Sequence, residues 1–215
     1  MIKIIIVDDH PIIRYGLKQM ISDEPDMVVS GEAENASQLF KLLEKNDYNL
    51  LLLDIGLPDI NGYQVLKRIK SLKPDLPVLI LTGRPEYQFI VVMIKEGASG
   101  YLNKNETSDH LIEAIRMLTA GGFYISPSLR DRLVFELKKD EKNIFQERLI
   151  DIESEIMYLL VEGKSKNDIA ESLLLSINAV SAFKSIILKK LNMESESELM
   201  RQCVLEYLPH DFSYA

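Results

Sequence analysis

The sequence predicts a doubly wound α/β domain with five parallel strands, followed by a small all-α domain. Over residues 1–121, short runs of branched aliphatic residues alternate with amphipathic segments, which is the pattern of a parallel sheet covered by helices. Beyond Gly121 and Gly122 this alternation stops, and the later segments have helical periodicity. With 215 residues, of which 47% are hydrophobic, the chain is long enough for two modest cores.

Five apolar runs define the predicted strands. In chain order they are IKIIIV, MVVSGEA, NLLLLD, PVLILT and SGYL. Apart from Lys3, the runs at residues 2–7, 50–53 and 78–81 are continuously apolar, which is typical of strands covered by helices on both faces. In such sheets the loops after the carboxyl ends of the strands collect the functional groups, so we expect the site at that edge.

The chain after residue 121 is predicted to be mainly helical. Residues 122–148 are expected to form a linker that is partly helical, because SPSLRDRLVFELKKDEKN is charged and begins with a serine that can cap a helix. Residues 149–215 are expected to form a compact helical domain. Its helices are predicted at about 153–162, 166–174, 177–191 and 195–207.

Capping residues set the expected ends of these helices. Ser165 and Ser176 stand at N-cap positions, and Ser195 with Glu198 fits a capping box. Gly163 follows the first helix, where it can adopt the left-handed conformation that ends a helix.

Composition argues against secretion and against membrane insertion. The single cysteine, Cys203, cannot form an internal disulfide, and the first residues lack the pattern of a cleaved signal. No apolar run approaches the roughly 18 residues expected of a membrane span. We therefore expect a cytoplasmic protein with no membrane partner. The three histidines, His10, His110 and His210, show no spacing typical of metal ligands.

Acidic residues outnumber basic ones, and the formal net charge is −8. Residues 149–215 alone contain six basic and eleven acidic residues. A DNA-binding module normally presents a basic surface, because its affinity comes largely from neutralising phosphates. The acidity argues against strong nonspecific binding to DNA, although a local patch can still be positive.

Three acidic residues stand at the ends of predicted strands. Asp8 and Asp9 follow the first strand, and Asp54 follows the third. If these strands are neighbours, the carboxylates meet above one edge of the sheet, where their repulsion is costly without a cation. Mg²⁺ suits such a site because it takes hard oxygen ligands. Thr82 ends the fourth run and Lys104 follows the fifth, so a hydroxyl and an ammonium group join the same edge.

This combination suits phosphoryl transfer to a carboxylate, with Asp54 as the nucleophile. The metal and the lysine would stabilise the phosphoryl oxygens during in-line attack, and little further chemistry is required of the protein. A single strand-end acid is usually a solvated loop residue, whereas the spaced combination is far more specific.

Motifs in the first 121 residues carry a resemblance to a known family. DDHP, LLLDIGLPDINGYQVL, LTG and EGASGYLNK occur in the order found in the receiver domain of response regulators, which has a flavodoxin-like fold. The resemblance implies that Asp54 is the phosphoacceptor. It also implies that Asp8, Asp9 and Asp54 hold Mg²⁺ together with the backbone carbonyl of Gly56.

The resemblance further implies roles for residues at the ends of the last two strands. Thr82 and Lys104 would contact the phosphoryl group, and Tyr101 matches an aromatic residue whose inward rotation accompanies the movement of that threonine. A packed strand tyrosine is the simpler alternative for Tyr101. The residue after the threonine is commonly alanine in the family, whereas here Gly83 and Arg84 follow, and we hypothesise that Arg84 alters the lifetime of the acyl phosphate.

An enzyme is an alternative, since haloacid-dehalogenase-like phosphatases also form an aspartyl phosphate on a similar sheet. Those enzymes use an acid two residues after the nucleophile, and position 56 is glycine here. We therefore expect a protein that accepts a phosphoryl group on Asp54 without multiple turnover.

The stretch from Leu149 to Met200 resembles the helix-turn-helix output domain of the NarL/LuxR type. Matching positions include Glu153, Gly163, Ser176 and Val180. By analogy, residues 166–174 form the supporting helix and residues 177–191 the recognition helix.

The contact positions agree less well than the scaffold. The family commonly has Thr-Val-Lys-x-His where this chain has Ala-Val-Ser-Ala-Phe at 179–183. Asn178 can read adenine, the serines can contact bases or phosphates, and the lysines can contact phosphates. The candidate DNA contacts are Asn178, Ser181, Lys184, Ser185 and Lys189.

Two functions remain open for this helix. Small residues at 179, 182 and 185 would let another helix approach closely, so the domain could bind a protein instead of DNA. The favoured prediction is a phosphorylation-dependent transcription regulator of a two-component system. Its expected partners are a sensor histidine kinase, DNA and a second copy of the chain that dimerises on phosphorylation.

Overall fold

The computed structural model describes residues 1–83, 87–139, 145 and 148–207. The chain divides into two compact units, Met1–Ser126 and a second unit that begins at Pro127. Arg84, for which an effect on the acyl phosphate was hypothesised, lies outside the described residues.

The first unit is a parallel sheet of six strands in the order β2-β1-β3-β4-β5-β6. The strands are β1 Ile2–Val7, β2 Met27–Ala33, β3 Leu50–Asp54, β4 Val78–Thr82, β5 Gly100–Asn103 and β6 Tyr124–Ile125. The helices between them are α1 Pro11–Ser22, α2 Ala36–Lys45, α3 Gly62–Leu72, α4 Tyr87–Lys95 and α5 Thr107–Thr119. A short 3₁₀ helix, Lys104–Glu106, leads into α5. The doubly wound class is confirmed.

Helices cover this sheet because both of its faces are apolar. Ile4, Leu50 and Leu79 belong to a core that α1 and α5 close with Leu17 and Leu111. The intervening strand residues point to the opposite face and are equally buried; they include Ile5, Leu51, Leu53 and Ile80. This double burial explains the continuous apolar runs in the sequence.

The structure adds one strand to the five expected. Tyr124 and Ile125 pair with Gly100 and Tyr101 of β5, and both side chains are fully buried. Gly121, with φ +82°, turns the chain back to the sheet after α5. A two-residue strand has no periodicity that a sequence pattern can display, which is why it was missed.

The second unit contains five helices among its described residues. They are α6 Pro127–Lys139, α7 Asp151–Val161, α8 Lys166–Ser172, α9 Ile177–Leu191 and α10 Glu196–Tyr207. Helices α7 and α8 both pack on α9, while α6 packs on α7 and α10. Strand β6 and helix α6 both fall within the residues that were predicted to form a linker.

The helix ends of this unit follow the capping signals. Ser165 Oγ accepts from the Asp168 amide and Ser176 Oγ from the Ala179 amide, at 3.2 and 3.1 Å. Gly163 has φ +79° and follows the C-terminus of α7. Helix α8 ends earlier than expected, at Ser172, and Leu174 in the turn before α9 adopts a left-handed conformation with φ 53°.

No single helix of the described ranges is long and apolar enough to cross a membrane. Helices α8 and α9 reach the required length and composition only as a pair bent by 106°.

Candidate functional site

The acidic residues at the ends of β1 and β3 lie side by side. These strands are neighbours, with Val7 opposite Leu53, so Asp8 leaves β1 next to Asp54 at the end of β3. Asp8 is completely buried and Asp54 is 4% exposed, while Asp9 is partly open to solvent. Two buried carboxylates in contact need positive charge nearby, because burial and mutual repulsion both disfavour ionisation.

Lys104 supplies part of that charge. Its Nζ lies 2.6 Å from Asp8 Oδ2 and 2.7 Å from Asp54 Oδ2, and its side chain is 15% exposed. Burial by itself lowers the pKa of Lys104, but the hydrogen bonds to Asp54 and Asp8 outweigh burial and raise the pKa above its usual value. The ammonium group is therefore held in its charged form between the two carboxylates.

Gly56 lies against the Asp54 carboxylate. Its backbone amide donates to Asp54 Oδ1 at 3.2 Å, and a Cβ added at Gly56 would lie 3.6 Å from Asp54 Oδ2. A side chain at position 56 would therefore stand directly beside the carboxylate. An acid at this place could act on a phosphoryl group carried by Asp54, and glycine cannot.

Thr82 and Tyr101 share a cavity next to this site. Thr82 ends β4 and is buried, and the Tyr101 side chain is buried in β5. Both line a cavity of about 330 Å³ together with Gly56, Asn61 and Met93. The structure therefore places the hydroxyl and the tyrosine around one space that reaches the loop after Asp54.

The donor set around these carboxylates fits a divalent cation. Asp8, Asp9, His10 and Asp54 each offer a ligand atom, and these four atoms lie within 4.8 Å of one another. Carboxylate oxygens are the hard ligands that Mg²⁺ prefers. When bound, the cation would offset the negative charge that Lys104 leaves uncompensated.

His10 belongs to this cluster, although its spacing in the sequence gave no such signal. Its Nδ1 lies 2.7 Å from Asp9 Oδ1 and 3.1 Å from Asp8 Oδ1. Metal-ligand spacing is usually sought between histidines or cysteines, whereas here the neighbours of the imidazole are the two preceding acids. The useful signal would have been the position of His10 in the loop that carries those acids.

Arg14 is a second residue that the sequence analysis missed. It is buried, its Nη1 donates to the Asp8 carbonyl at 2.7 Å, and its Nη2 lies 2.6 Å from Glu34 Oε1. It thereby joins the β1–α1 loop to the loop after β2. The available signal was a charged residue on the same helical stripe as the buried Leu17 and Ile21.

In the second unit, the predicted DNA contacts lie on α9 with unequal accessibility. Asn178, Ser185 and Lys189 are exposed, whereas Ser181 and Lys184 are half-buried. The Ser185 hydroxyl donates to the Ser181 carbonyl at 3.1 Å, so its oxygen remains able to accept.

Two lysines of α9 are held in ion pairs within the same unit. Lys184 pairs with Glu196, and Lys190 Nζ lies 2.7 Å from both carboxylate oxygens of Glu153. Glu153 is buried and also accepts from the Ile150 amide at 3.0 Å. The hydrogen bond from Lys190, followed by that from the amide, holds the pKa of Glu153 below its usual value. Because each of these lysines already has a carboxylate partner, a contact with phosphate would compete with that ion pair.

Comparisons with known proteins match both units. The family model of the response regulator receiver domain matches residues 4–116, and that of the luxR family of bacterial regulatory proteins matches residues 149–203. The transcription regulator BvgA of Bordetella pertussis is 34% identical over 199 residues, with 92% of this chain and 94% of BvgA covered. The nitrate/nitrite response regulator NarL of Escherichia coli K12 is 31% identical over 199 residues, with 91% of each chain covered.

Among solved structures, the response regulator RcsB of Salmonella typhimurium matches with a TM-score of 0.58 and 26% identity. The match covers 94% of this chain and 98% of that one. A complex of RcsB with DNA matches with a TM-score of 0.58 and 27% identity, over 95% of this chain and 98% of that one.

Proposed function

This chain belongs to the response regulators with a LuxR-type output domain, and we propose that it is a cytoplasmic transcription regulator controlled by phosphorylation of Asp54. The observation that carries the proposal is the convergence of Asp8, Asp54 and Lys104 at one sheet edge, with both carboxylates within 2.7 Å of the same ammonium group.

Asp54 is the proposed phosphoacceptor. One of its carboxylate oxygens forms a bond to phosphorus while the bond from phosphorus to the donor breaks, and the donor leaves with the electron pair. The donor is a phosphohistidine of a sensor kinase or a small acyl phosphate. Mg²⁺, when held by Asp8, Asp9, Asp54 and the Gly56 carbonyl, supplies positive charge for the phosphoryl oxygens. Lys104, already in contact with Asp54, adds a second positive charge.

The phosphoryl group is proposed to persist on Asp54 as a signal. Glycine at position 56 offers no acid to catalyse its rapid removal, although a side chain there would touch the Asp54 carboxylate. This supports a regulator over a phosphatase with multiple turnover.

Thr82 and Tyr101 are proposed to carry the signal away from Asp54. A hydrogen bond from Thr82 to the phosphoryl group would vacate part of the 330 Å³ cavity that both residues line. The Tyr101 ring is already buried, so the movement of Thr82 would repack this ring without an inward turn and change a surface that forms a homodimer. Coupling of this kind is typically worth about 1–3 kcal/mol, which dimerisation on DNA would amplify.

The second unit is proposed to bind DNA through α9. Asn178 and Ser185 are exposed for base contacts, Lys189 is exposed for phosphate, and Ser181 and Lys184 lie at the edge of the same face. Relatives with the same two domains are transcription regulators, and RcsB is solved with DNA. These relatives favour DNA over a protein as the partner of α9.

The proposal is tested by fluorescence anisotropy of a mixed-sequence duplex titrated with the full chain. The titration is repeated with and without Mg²⁺ and BeF₃⁻, at a series of salt concentrations. We expect binding that strengthens on activation and weakens linearly with the logarithm of salt concentration. Absence of binding at low salt, from protein shown to have accepted BeF₃⁻, would contradict DNA binding and direct the search to a protein partner.

A further inference from the structure

The loop between β1 and α1 places an imidazole nitrogen among the carboxylates of the acidic site. His10 Nδ1 lies 2.7 Å from Asp9 Oδ1, 3.1 Å from Asp8 Oδ1 and 4.0 Å from Asp54 Oδ2. These three acids are the residues proposed to hold Mg²⁺. The nitrogen is therefore within reach of the same cation.

The backbone holds His10 in this position. Its amide donates to Asp8 Oδ1 at 2.9 Å, and Pro11 begins α1 immediately afterwards. Proline at the first helical position restricts the backbone of residues 10 and 11, so the Cα of His10 is held beside the cluster. The His10 side chain is 64% exposed, whereas Asp8 and Asp54 are buried, so the imidazole is the more solvent-accessible donor of the cluster.

The chemistry of the donors separates two classes of metal. Mg²⁺ binds oxygen ligands and retains several waters, so an imidazole adds little to its affinity. Zn²⁺ and Co²⁺ accept imidazole nitrogen readily and combine it with carboxylate oxygens. A nitrogen beside three carboxylates therefore favours transition-metal ions more than a purely carboxylate site would.

We propose that His10 is a ligand for a divalent transition-metal ion such as Zn²⁺ or Co²⁺ at the acidic site, together with Asp8, Asp9 and Asp54. Nδ1 binds the cation through its lone pair, so any proton that it carries moves to Nε2 or to solvent when the ion binds. The ion competes with Mg²⁺ because it uses the same carboxylates. The inference uses the acidic site of the proposed function and adds a second class of metal to it.

The experiment is isothermal titration calorimetry of the full chain with Zn²⁺, Co²⁺ and Mg²⁺ separately, in a buffer that binds none of them. The test variant is His10→Gln. The matched control is His110→Gln, which makes the same change on α5, where His110 lies near Glu113 and away from the cluster. The preference for Zn²⁺ is the Kd of Mg²⁺ divided by the Kd of Zn²⁺. For His10→Gln we expect this ratio to fall about tenfold or more. The control keeps the ratio of the parent chain.

Visible absorption of bound Co²⁺ gives a second readout that a structural effect of the substitution would not produce. Loss of the nitrogen donor changes the energies of the Co²⁺ bands, so the spectrum of the His10→Gln complex should differ from that of the parent. The control complex should have the parent spectrum.

Several outcomes would overturn the proposal. They are an unchanged ratio of Kd values in His10→Gln, an equal weakening of all three metals, or an unchanged Co²⁺ spectrum. Acceptance of BeF₃⁻ with Mg²⁺ is measured on the parent chain in parallel. If the parent accepts BeF₃⁻ and His10→Gln keeps its preference for Zn²⁺, the proposed function stands and the role of His10 as a metal ligand is wrong. If the parent does not accept BeF₃⁻ but His10→Gln loses its preference for Zn²⁺, the metal site stands and the proposed phosphorylation of Asp54 is wrong.

Discussion

The acidic site of the first unit and helix α9 of the second unit both contain ion pairs, but the net charge that remains after pairing differs between them. At the acidic site, the partly buried ammonium group of Lys104 pairs with both Asp8 and Asp54, and Asp9 adds a third carboxylate to the cluster. On α9, Lys184 and Lys190 each have a carboxylate of their own, from Glu196 and Glu153.

This difference determines what each region can bind. The acidic site keeps an excess of negative charge after its internal pairing, which favours a cation and, under the proposed function, a phosphoryl group bound through that cation. Helix α9 has part of its positive charge already neutralised, so DNA, its proposed partner, would compete with internal carboxylates for that charge. A cation bound at the acidic site would offset excess negative charge, whereas DNA bound at α9 would replace a carboxylate as the partner of a lysine.

The largest expected effect comes from removing the nucleophile. In Asp54→Asn we expect no phosphorylation by acetyl phosphate and no response to BeF₃⁻, because the amide oxygen is not an anionic nucleophile. Phosphate-affinity gel electrophoresis measures the modified fraction. Asp75→Asn is the control, because it makes the same change at an exposed carboxylate outside the cluster and should be phosphorylated at the parent rate. Phosphorylation that persists in Asp54→Asn would show that Asp54 is not the phosphoacceptor.

A smaller effect is expected from the buried arginine beneath the acidic loop. Arg14→Gln leaves the Asp8 carbonyl without its donor and Glu34 without its partner, which should lower the free energy of unfolding by about 2 kcal/mol. Urea denaturation followed by circular dichroism measures the change. Arg116→Gln breaks the more exposed pairs with Glu24 and Asp26 and should cost less. Equal losses in the two variants would show that burial of Arg14 contributes nothing.

Releasing a lysine of α9 should change DNA binding by one phosphate contact. Glu196→Gln removes the carboxylate that holds Lys184, so the slope of log affinity against log salt concentration should steepen by about 0.9. The anisotropy titration at several salt concentrations measures this slope. Glu155→Gln removes one exposed charge from α7 and releases no lysine through any described ion pair, so its slope should equal that of the parent. The same steepening in both variants would attribute the effect to net charge alone.

The smallest expected effect is a dependence of stability on pH. Because the pKa of Glu153 is held below its usual value in the folded chain, its pairing stabilises the fold at pH above the unfolded value of about 4.3. This contribution is lost as the pH falls through the lower, folded pKa. Thermal unfolding at pH 7, 4 and 3 should therefore show a smaller acid-induced loss for Glu153→Gln than for the parent chain. Glu155→Gln should follow the parent, and a parallel loss in all three proteins would contradict a role for the Glu153 pair.

Periodicity and strand-end position were sufficient to predict much of the first unit. The continuous apolar runs identified five of the strands, and parallel strands necessarily bring Asp8, Asp54, Thr82 and Lys104 to one edge. The strand formed by Tyr124 and Ile125 was too short to show a pattern. The roles of these residues in phosphoryl transfer remain predictions.

The contacts of side chains could not be predicted from the same patterns. Lys190 pairs with Glu153 across 37 positions, and Lys184 pairs with Glu196 across a turn. Helical periodicity places each lysine on a face but does not select its partner among the many acids of this unit. His10 was missed because the fold of the β1–α1 loop, and not its spacing, brings it to Asp8. Arg14 was missed because its partner, the Asp8 carbonyl, cannot be identified from its place on the buried stripe of α1.

Helix α6 has a practical consequence for dissecting the chain. Its Leu129, Leu133 and Leu137 are buried, and the helix packs on α7 and α10. A recombinant fragment that starts at Leu149, where the resemblance to the output domain begins, would lack this helix and expose the apolar surfaces of its neighbours. Such a fragment should aggregate more readily than one that starts at Pro127, so truncation studies of the output domain should keep α6.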